Sequence, residues 1–235
     1  MPSKSLADFV DVWKNTVRTH QYYEALTLIN KVHNVDNLGN EKIMATGHLD
    51  LIQEGMQGVC IPDPRTGMIR IICISEYAST PLLTIIHEFG HCVESAIKRT
   101  LSIEDDGRVD QAYRTIDERL KETDEYKSLS SKKWGCEITL SFFQSKNSLI
   151  REEEERLQRE LQYLDYLCSP GELFARSYCQ YIISRANRPD LLDSLLFDVD
   201  GEQSNRQWNQ SVFEDIDRGI SSLYDNLFIS LGWAK

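Results

Sequence analysis

Apolar residues recur at the three- and four-residue spacing of a helix in several parts of the chain. The first such stripe lies behind possible helix caps at Ser3 and Ser5 and consists of Leu6, Phe9, Val10, Trp13 and Val17. A second, shorter stripe consists of Tyr22, Tyr23, Leu26 and Ile29. The pattern therefore predicts N-terminal helices in residues 1–33.

The pattern changes in the next 40 residues or so. Residues 35–58 show no period, and their glycines and asparagines indicate loops. Residues 58–62 and 68–75 are rich in β-branched side chains and flank a turn-forming segment, which predicts a β-hairpin. A strand just before the helix that follows could present an open edge, and extended peptides bind such edges through main-chain hydrogen bonds.

Helical spacing returns in the second half of the chain. Stripes in residues 109–128 and 148–168 predict two helices, which we interpret as a helical hairpin, residues 109–168, inserted into the fold. Residues 134–143 lie inside this segment and fit neither the helical nor the strand period.

Two further helices are predicted after this hairpin. Ser169, Pro170 and Gly171 can end one helix and start the next. A stripe of apolar residues between Trp208 and Leu231 predicts a closing helix. Because we find no internal repeat or linker, the sequence predicts a single domain over residues 1–235, with a mostly helical α+β fold and a small mixed sheet.

Composition narrows the class of function. The chain has 235 residues, of which 41% are hydrophobic and 27% charged, as in ordinary globular proteins. Its formal net charge of −11 argues against nucleic acid as a partner, since phosphate binding needs a basic surface. The acidity is explained most simply by solubility, and the alternative is an acidic groove that prefers basic substrates.

The sequence also predicts the compartment. No apolar run is long enough to span a bilayer, and Asp8 and Asp11 interrupt any signal-peptide core. The six cysteines form no C-x-x-C pair, so we expect reduced, buried thiols. We therefore expect a cytoplasmic protein without a membrane partner, and delivery elsewhere by a non-classical route stays open.

The segment with the clearest chemistry is His87-Glu88-Phe89-Gly90-His91, an H-E-x-x-H pattern behind the helix-starting residues Thr80 and Pro81. Residues four apart on a helix share one face, so His87 and His91 can converge on one ion. The pattern is typical of zinc metalloproteases, in which the glutamate acts on a water molecule. The motif predicts two zinc ligands and a general base, Glu88.

A catalytic zinc ion usually has three protein ligands, so a third ligand is required. A metzincin histidine is excluded, because Glu94 and Ile97 occupy the positions of the required glycine and histidine. Glu94 itself lies on the same helix, where it would crowd the ligands onto one side. The acids in residues 104–106 are typical of a solvated turn, and Glu172 at a helix start is favoured by the helix dipole alone.

Two segments together resemble a known family. His-Glu-Phe-Gly-His and Glu172-Leu-Phe-Ala-Arg-Ser-Tyr are similar to the gluzincin metallopeptidases, particularly the group that contains the catalytic domain of anthrax lethal factor. The resemblance implies a zincin-like fold, Glu172 as the third zinc ligand, and a tyrosine that donates a hydrogen bond to the transition state. Tyr166 is the nearest match for that tyrosine and Tyr163 the next.

The resemblance implies a zinc metallopeptidase that hydrolyses peptide bonds in protein or peptide substrates. Zn²⁺ lowers the pKa of bound water, Glu88 takes the proton, and Tyr166 stabilises the oxyanion. Glu94 or Asp105 are candidates to orient the histidine rings. Two alternatives remain: an inactive zincin-like protein used for binding or assembly, and a helical interaction protein with an accidental motif.

Overall fold

The computed structural model describes residues 10–12, 18–34, 43–46, 57–103, 107–144, 151–197, 207–215 and 219–235. The first half of the chain contains four strands and two helices: β1 (Val10–Val12), α1 (Thr19–Val32), β2 (Ile43–Thr46), β3 (Gly58–Pro62), β4 (Ile69–Ile74) and α2 (Pro81–Ile103). The second half is helical: α3 (Gly107–Glu122), α4 (Asp124–Gln144), α5 (Arg151–Leu167), α6 (Pro170–Arg185), α7 (Pro189–Leu196), α8 (Gln210–Phe213) and α9 (Ile220–Ser230). The predicted mostly helical α+β architecture with a small mixed sheet is confirmed.

The sheet has the strand order β1-β2-β4-β3. β1, β2 and β4 are parallel, and β3 pairs antiparallel with β4, so the predicted hairpin is confirmed. The expectation that the strand just before the long helix forms the open edge is wrong. β4 lies between β2 and β3, and among the described strands β3 is the edge on that side of the sheet.

The main hydrophobic core is built around α2 and α6. α2 packs against the sheet, α1 and α6, and α3 and α9 complete the core around α6. Twelve consecutive residues of α6, Glu172 to Ile183, are buried. A helix that is covered on all sides is a core element rather than a surface helix. Both helices that carry the motif residues are therefore held by the centre of the fold.

The helical hairpin has different arms from those predicted. α4 pairs with α5 around a small separate core made of Leu129, Cys136, Leu140, Leu157, Leu164 and Leu167. α3, which begins the predicted hairpin 109–168, packs instead on α9 and the main core. Residues 134–143 showed no clear period because Trp134 and Phe142 are exposed on α4 while Cys136 and Leu140 are buried.

Other predictions need correction at the two ends of the chain. The first predicted N-terminal helix is wrong at Val10–Val12, which form β1, while its other stripe residues, Leu6, Phe9, Trp13 and Val17, lie outside the described residues. The second predicted helix is confirmed as α1. Val10 and Val12 are buried and Asp11 is exposed, the alternation of a strand. The predicted closing helix is interrupted, because α8 ends at Phe213 and Gly219 caps the start of α9. β2 and α7 were not predicted.

Two further predictions concern membranes and thiols. Among the described helices, none combines the length and the apolar character needed to cross a bilayer. The six cysteines are thiols, and four of them are buried.

A buried histidine joins α1 to the carboxyl-terminal part of the chain. His33 follows α1 and is fully buried, with Nε2 2.8 Å from the Tyr178 hydroxyl and Nδ1 2.6 Å from the Asn34 carbonyl oxygen. Its ring stacks on Phe228 at 4.1 Å. Burial, with a smaller effect from the positive charge of Lys235, lowers the pKa of His33 to about 4 although the hydrogen bond to Asn34 raises it. The neutral ring therefore satisfies both hydrogen bonds, with Nδ1 as the donor.

We predict that His33 makes folding sensitive to acid. The pKa of His33 is about 4 in the folded chain and about 6.5 in an unfolded chain. As the pH falls below about 6.5 the unfolded state takes up the proton first, so stability falls between pH 6.5 and 4 by up to about 3 kcal/mol. Chemical denaturation at a series of pH values measures this loss.

The control for this prediction is His20, a histidine near the start of α1. In His33→Gln, which retains an amide donor and acceptor, stability should be lower at pH 7 and should depend less on pH between 6.5 and 4. His20→Gln changes an exposed residue of α1 and should leave the wild-type pH dependence intact. An unchanged pH dependence in His33→Gln would contradict the assignment.

Candidate metal centre

The two motif histidines lie on one face of α2. The helix begins at Pro81, and its buried apolar residues, which include Ile85, Ile86, Phe89 and Val93, fix the opposite face against the core. His87 and His91 are four residues apart, one turn of the helix. Their ring centroids lie 5.0 Å apart with the ring planes nearly perpendicular. The side chains are only partly buried, so both rings remain accessible to a ligand.

Glu172 is placed by the start of α6. Ser169 caps this helix, since its hydroxyl oxygen accepts a hydrogen bond from the Glu172 amide at 3.4 Å, and Pro170 occupies the first turn. Glu172 then lies in the first turn, where the helix dipole favours a carboxylate. The side chain is nevertheless buried, so its position needs partners beyond the helix end.

α2 and α6 approach each other closely beside these residues. A Cβ atom on Gly90 would lie 2.8 Å from the Cα of Ala175 and 3.2 Å from its Cβ, which is too close for a side chain. Gly90 lies between the two histidines in sequence, and Ala175 is three residues after Glu172. Small residues on both helices therefore bring the histidines of α2 opposite the carboxylate of α6.

The donor atoms converge on one point. The Oε2 atom of Glu172 lies 3.4 Å from the Nε2 atom of His87 and 3.7 Å from that of His91. One donor atom from each of the three residues lies within 4.8 Å of the others. Ligands bound in a tetrahedron at about 2.0–2.1 Å lie about 3.3–3.4 Å apart. The separations therefore fit three ligands of one metal ion.

The surroundings of the Glu172 carboxylate also indicate a metal ligand. Its Oε2 atom is buried and, within the part of the chain that the structure describes, has no hydrogen-bond partner. A buried carboxylate oxygen without a partner costs free energy of folding unless a ligand or another charge compensates it. The group of His87, His91 and Glu172 could therefore hold a metal ion.

The three residues also influence each other's protonation. Burial lowers the pKa of His87, but the carboxylates of Glu172 and Glu88 outweigh this effect and raise the pKa above the ordinary value. Burial and the charge of His87 lower the pKa of His91 to about 4. The paired carboxylate thus favours a single proton on His87. Since metal ligation needs neutral imidazoles, binding of a metal ion should release that proton.

Glu88 is buried next to this group. Burial raises the pKa of Glu88, partly offset by the charge of His87 and by the thiol of Cys60. The edge strand β3 covers Glu88: a Cβ on Gly58 would lie 2.9 Å from Glu88 Oε1, and the Cys60 thiol donates to the Glu88 carbonyl oxygen at 3.1 Å. A carboxylate of raised pKa is a better proton acceptor, which suits a general base.

The two candidate tyrosines lie on α5. Tyr166 is half-exposed, and burial, the charge of Glu172 and a hydrogen bond to that carboxylate together raise its pKa, so it remains a neutral donor. Tyr163 is also exposed, and its hydroxyl contributes to raising the pKa of Arg176, which burial lowers. Tyr166 therefore interacts with a residue of the metal-binding group.

Glu94 and Asp105 were predicted to orient the histidine rings, and the structure describes only Glu94. Glu94 is buried on α2, where its Oε1 accepts a hydrogen bond from the Tyr113 hydroxyl at 2.5 Å and forms an ion pair with Lys98 at 2.8 Å. The negative charge of Glu94 partly offsets the lowering of the His91 pKa, so Glu94 acts on that ring through space. Asp105, the other candidate, lies outside the described residues.

Sequence reasoning did not identify Arg176. This arginine is buried on α6, and its Nε atom lies 3.5 Å from Glu172 Oε1. The available signal was a charged residue one turn after Glu172, in a helix whose other residues up to Ile183 are uncharged. Gly58 and Gly90 were also missed as contact residues, since their role depends on the packing of distant segments.

Comparisons of the chain with protein families, with curated proteins and with solved structures find no match. The geometry of the group on α2 and α6 is therefore the basis for any assignment of function.

Proposed function

We propose that the chain is a zinc metallopeptidase with a zincin-like fold, in which His87, His91 and Glu172 bind zinc. The observation that carries the proposal is the convergence of these three donors beside a buried Glu88. Two imidazoles and one carboxylate form the ligand set of many catalytic zinc sites, which keep a fourth position open. The resemblance of both motifs to gluzincin metallopeptidases supports the same assignment.

Zinc, when bound, supplies a Lewis acid that polarises a peptide carbonyl and lowers the pKa of a water molecule toward about 7. Glu88 accepts the proton of the attacking water on its carboxylate and passes it to the leaving amine. Its burial removes competing solvent, and the covering strand β3 restricts its motion. Tyr166 donates its hydroxyl proton in a hydrogen bond to the developing oxyanion, a contribution of about 3 kcal/mol in comparable sites.

The edge strand suggests how the substrate binds. β3 pairs with β4 on one side, and among the described residues no strand pairs with its other side. An extended peptide can add to such an edge through main-chain hydrogen bonds. Since Gly58 and Cys60 of β3 contact Glu88, a peptide on this edge lies next to the proposed base. The proposed substrate is therefore an extended segment of a protein or peptide.

We predict that the wild-type protein binds one zinc ion per chain. His87→Ala and Glu172→Ala each remove a ligand and should weaken zinc binding by more than about 100-fold, beyond the effect of losing an outer contact. Competition with a chromogenic chelator measures the affinity, and elemental analysis gives the stoichiometry. His20→Ala, an exposed histidine of α1, is the control and should bind zinc like the wild type. Wild-type affinity in both ligand variants would refute this site.

We predict that Glu88→Gln separates metal binding from hydrolysis. The amide should leave the zinc affinity within a few-fold of the wild type, while the rate of peptide hydrolysis should fall at least about 100-fold for lack of a general base. Cleavage of a quenched fluorescent peptide library measures the rate. Glu76→Gln changes an exposed carboxylate near the start of α2 and should retain full activity. Full activity of Glu88→Gln would contradict the proposed function.

A further inference from the structure

Arg176 is a buried cation next to the proposed metal ligand. It lies on α6 one turn after Glu172, and only 4% of its surface is exposed. A buried guanidinium group is unfavourable unless nearby groups compensate its charge and its hydrogen-bond donors. Its position is therefore determined by specific contacts, and these contacts indicate its role.

The first contact is with one particular oxygen of Glu172. The Nε atom of Arg176 lies 3.5 Å from Oε1, whereas the two histidines face the other oxygen, Oε2. The guanidinium group thus attracts one oxygen of the carboxylate and leaves the other directed at the histidines. A carboxylate held in this way can offer a metal ion a single oxygen in a fixed direction.

The other contacts fix the guanidinium group itself. Its Nη2 atom donates to the carbonyl oxygen of Leu167, the last residue of α5, at 2.7 Å. On another side, the Cζ atom lies 5.3 Å from the centroid of the Trp208 ring. A planar guanidinium group suits both a carbonyl acceptor and an aromatic ring.

Trp208 is held in turn by Thr123 and by Gln180 of α6. Its indole Nε1 donates to the Thr123 hydroxyl oxygen at 3.1 Å, and its main-chain amide and carbonyl form hydrogen bonds with the side chain of Gln180. Thr123 lies between α3 and α4, at the start of the α4–α5 hairpin, and Leu167 lies at its end. Both ends of this hairpin therefore meet at Arg176 and its aromatic neighbour.

We propose that Arg176 is a positioning residue that holds Oε1 of Glu172 so that Oε2 faces the metal ion, and that it links this orientation to the base of the α4–α5 hairpin. The inference rests on the proposed zinc site. Without the guanidinium group, the buried carboxylate loses a compensating charge and the contact that holds Oε1 in place. Orientation outweighs the repulsion between guanidinium and zinc, so the loss of Arg176 weakens metal binding.

Zinc affinity of folded variants tests the proposal directly. Arg176→Met should weaken zinc binding by about 10- to 100-fold, the usual effect of removing a group that orients a ligand. Arg176→Lys keeps a cation but cannot reach both Glu172 and Leu167, so we expect its zinc affinity to be about 10-fold lower than that of the wild type. If Arg176→Met fails to fold, Arg176→Lys serves as the test. Arg185→Met is the control: this arginine pairs with Asp225 and Glu214 at the far end of α6 and should not affect zinc.

A double-mutant cycle separates positioning from a general loss of structure. In the Glu172→Ala background no carboxylate remains for the guanidinium to hold, so adding Arg176→Met should change zinc affinity by less than about two-fold. An independent, additive loss in the double variant would show that Arg176 acts on the site by another route. Wild-type zinc affinity in Arg176→Lys and Arg176→Met would overturn the inference, while absence of zinc binding in the wild type would overturn the proposed function instead.

The link to the hairpin has its own readout. Zinc should slow amide hydrogen exchange in the last turn of α5 in the wild type, because Glu172, Arg176 and Leu167 are connected. In Arg176→Lys or Arg176→Met, zinc should have less effect on that turn at saturating concentration. Equal protection by zinc in the wild type and the variants would refute the link.

Discussion

The close packing of α2 and α6 is the constraint on which the site depends. A helix pair carrying larger side chains at Gly90 and Ala175 would separate, and the carboxylate of Glu172 would move away from the two histidines. The same contact lies inside the main hydrophobic core, so the free energy that stabilises the fold also holds the donors together. Since the site needs no flexible loop to assemble, its geometry is preorganised.

Burial and charge then determine what this arrangement can do. Glu88, Glu172 and Arg176 are all buried, and each would be unfavourable alone. Arg176 compensates one oxygen of Glu172, and the histidines face the other. Glu88 differs, because β3 covers it and burial raises its pKa more than the charge of His87 lowers it. One carboxylate is thus suited to bind a cation and the other to accept a proton.

Local sequence signals predicted the elements that carry the site. Pro81 and the run Ser169-Pro170 gave the starts of α2 and α6 because caps and first-turn prolines act within a few residues. The i, i+4 spacing placed both histidines on one face. The choice of Glu172 came from a resemblance, since spacing alone left several acids open, and the structure brings this glutamate to the histidines.

The failures of prediction have a common physical cause: they depend on tertiary contacts. Val10 fits the predicted helical stripe as well as it fits a strand, and only pairing with β2 selects the strand. α3 was assigned to the hairpin because its apolar face looks like that of α5, yet it packs on α9. Arg176 has no local signal beyond its spacing from Glu172, because Leu167 and Trp208 reach it from other parts of the chain.

X-ray absorption at the zinc edge of the zinc-loaded protein tests the central claim most directly. The thiol of Cys60, which donates to the Glu88 carbonyl oxygen, is a poor alternative ligand, because burial raises its pKa and keeps it protonated. We predict only nitrogen and oxygen neighbours at about 2.0–2.2 Å, with the scattering pattern of two imidazole rings. A sulfur shell at about 2.3 Å, or a spectrum without histidine, would contradict the account.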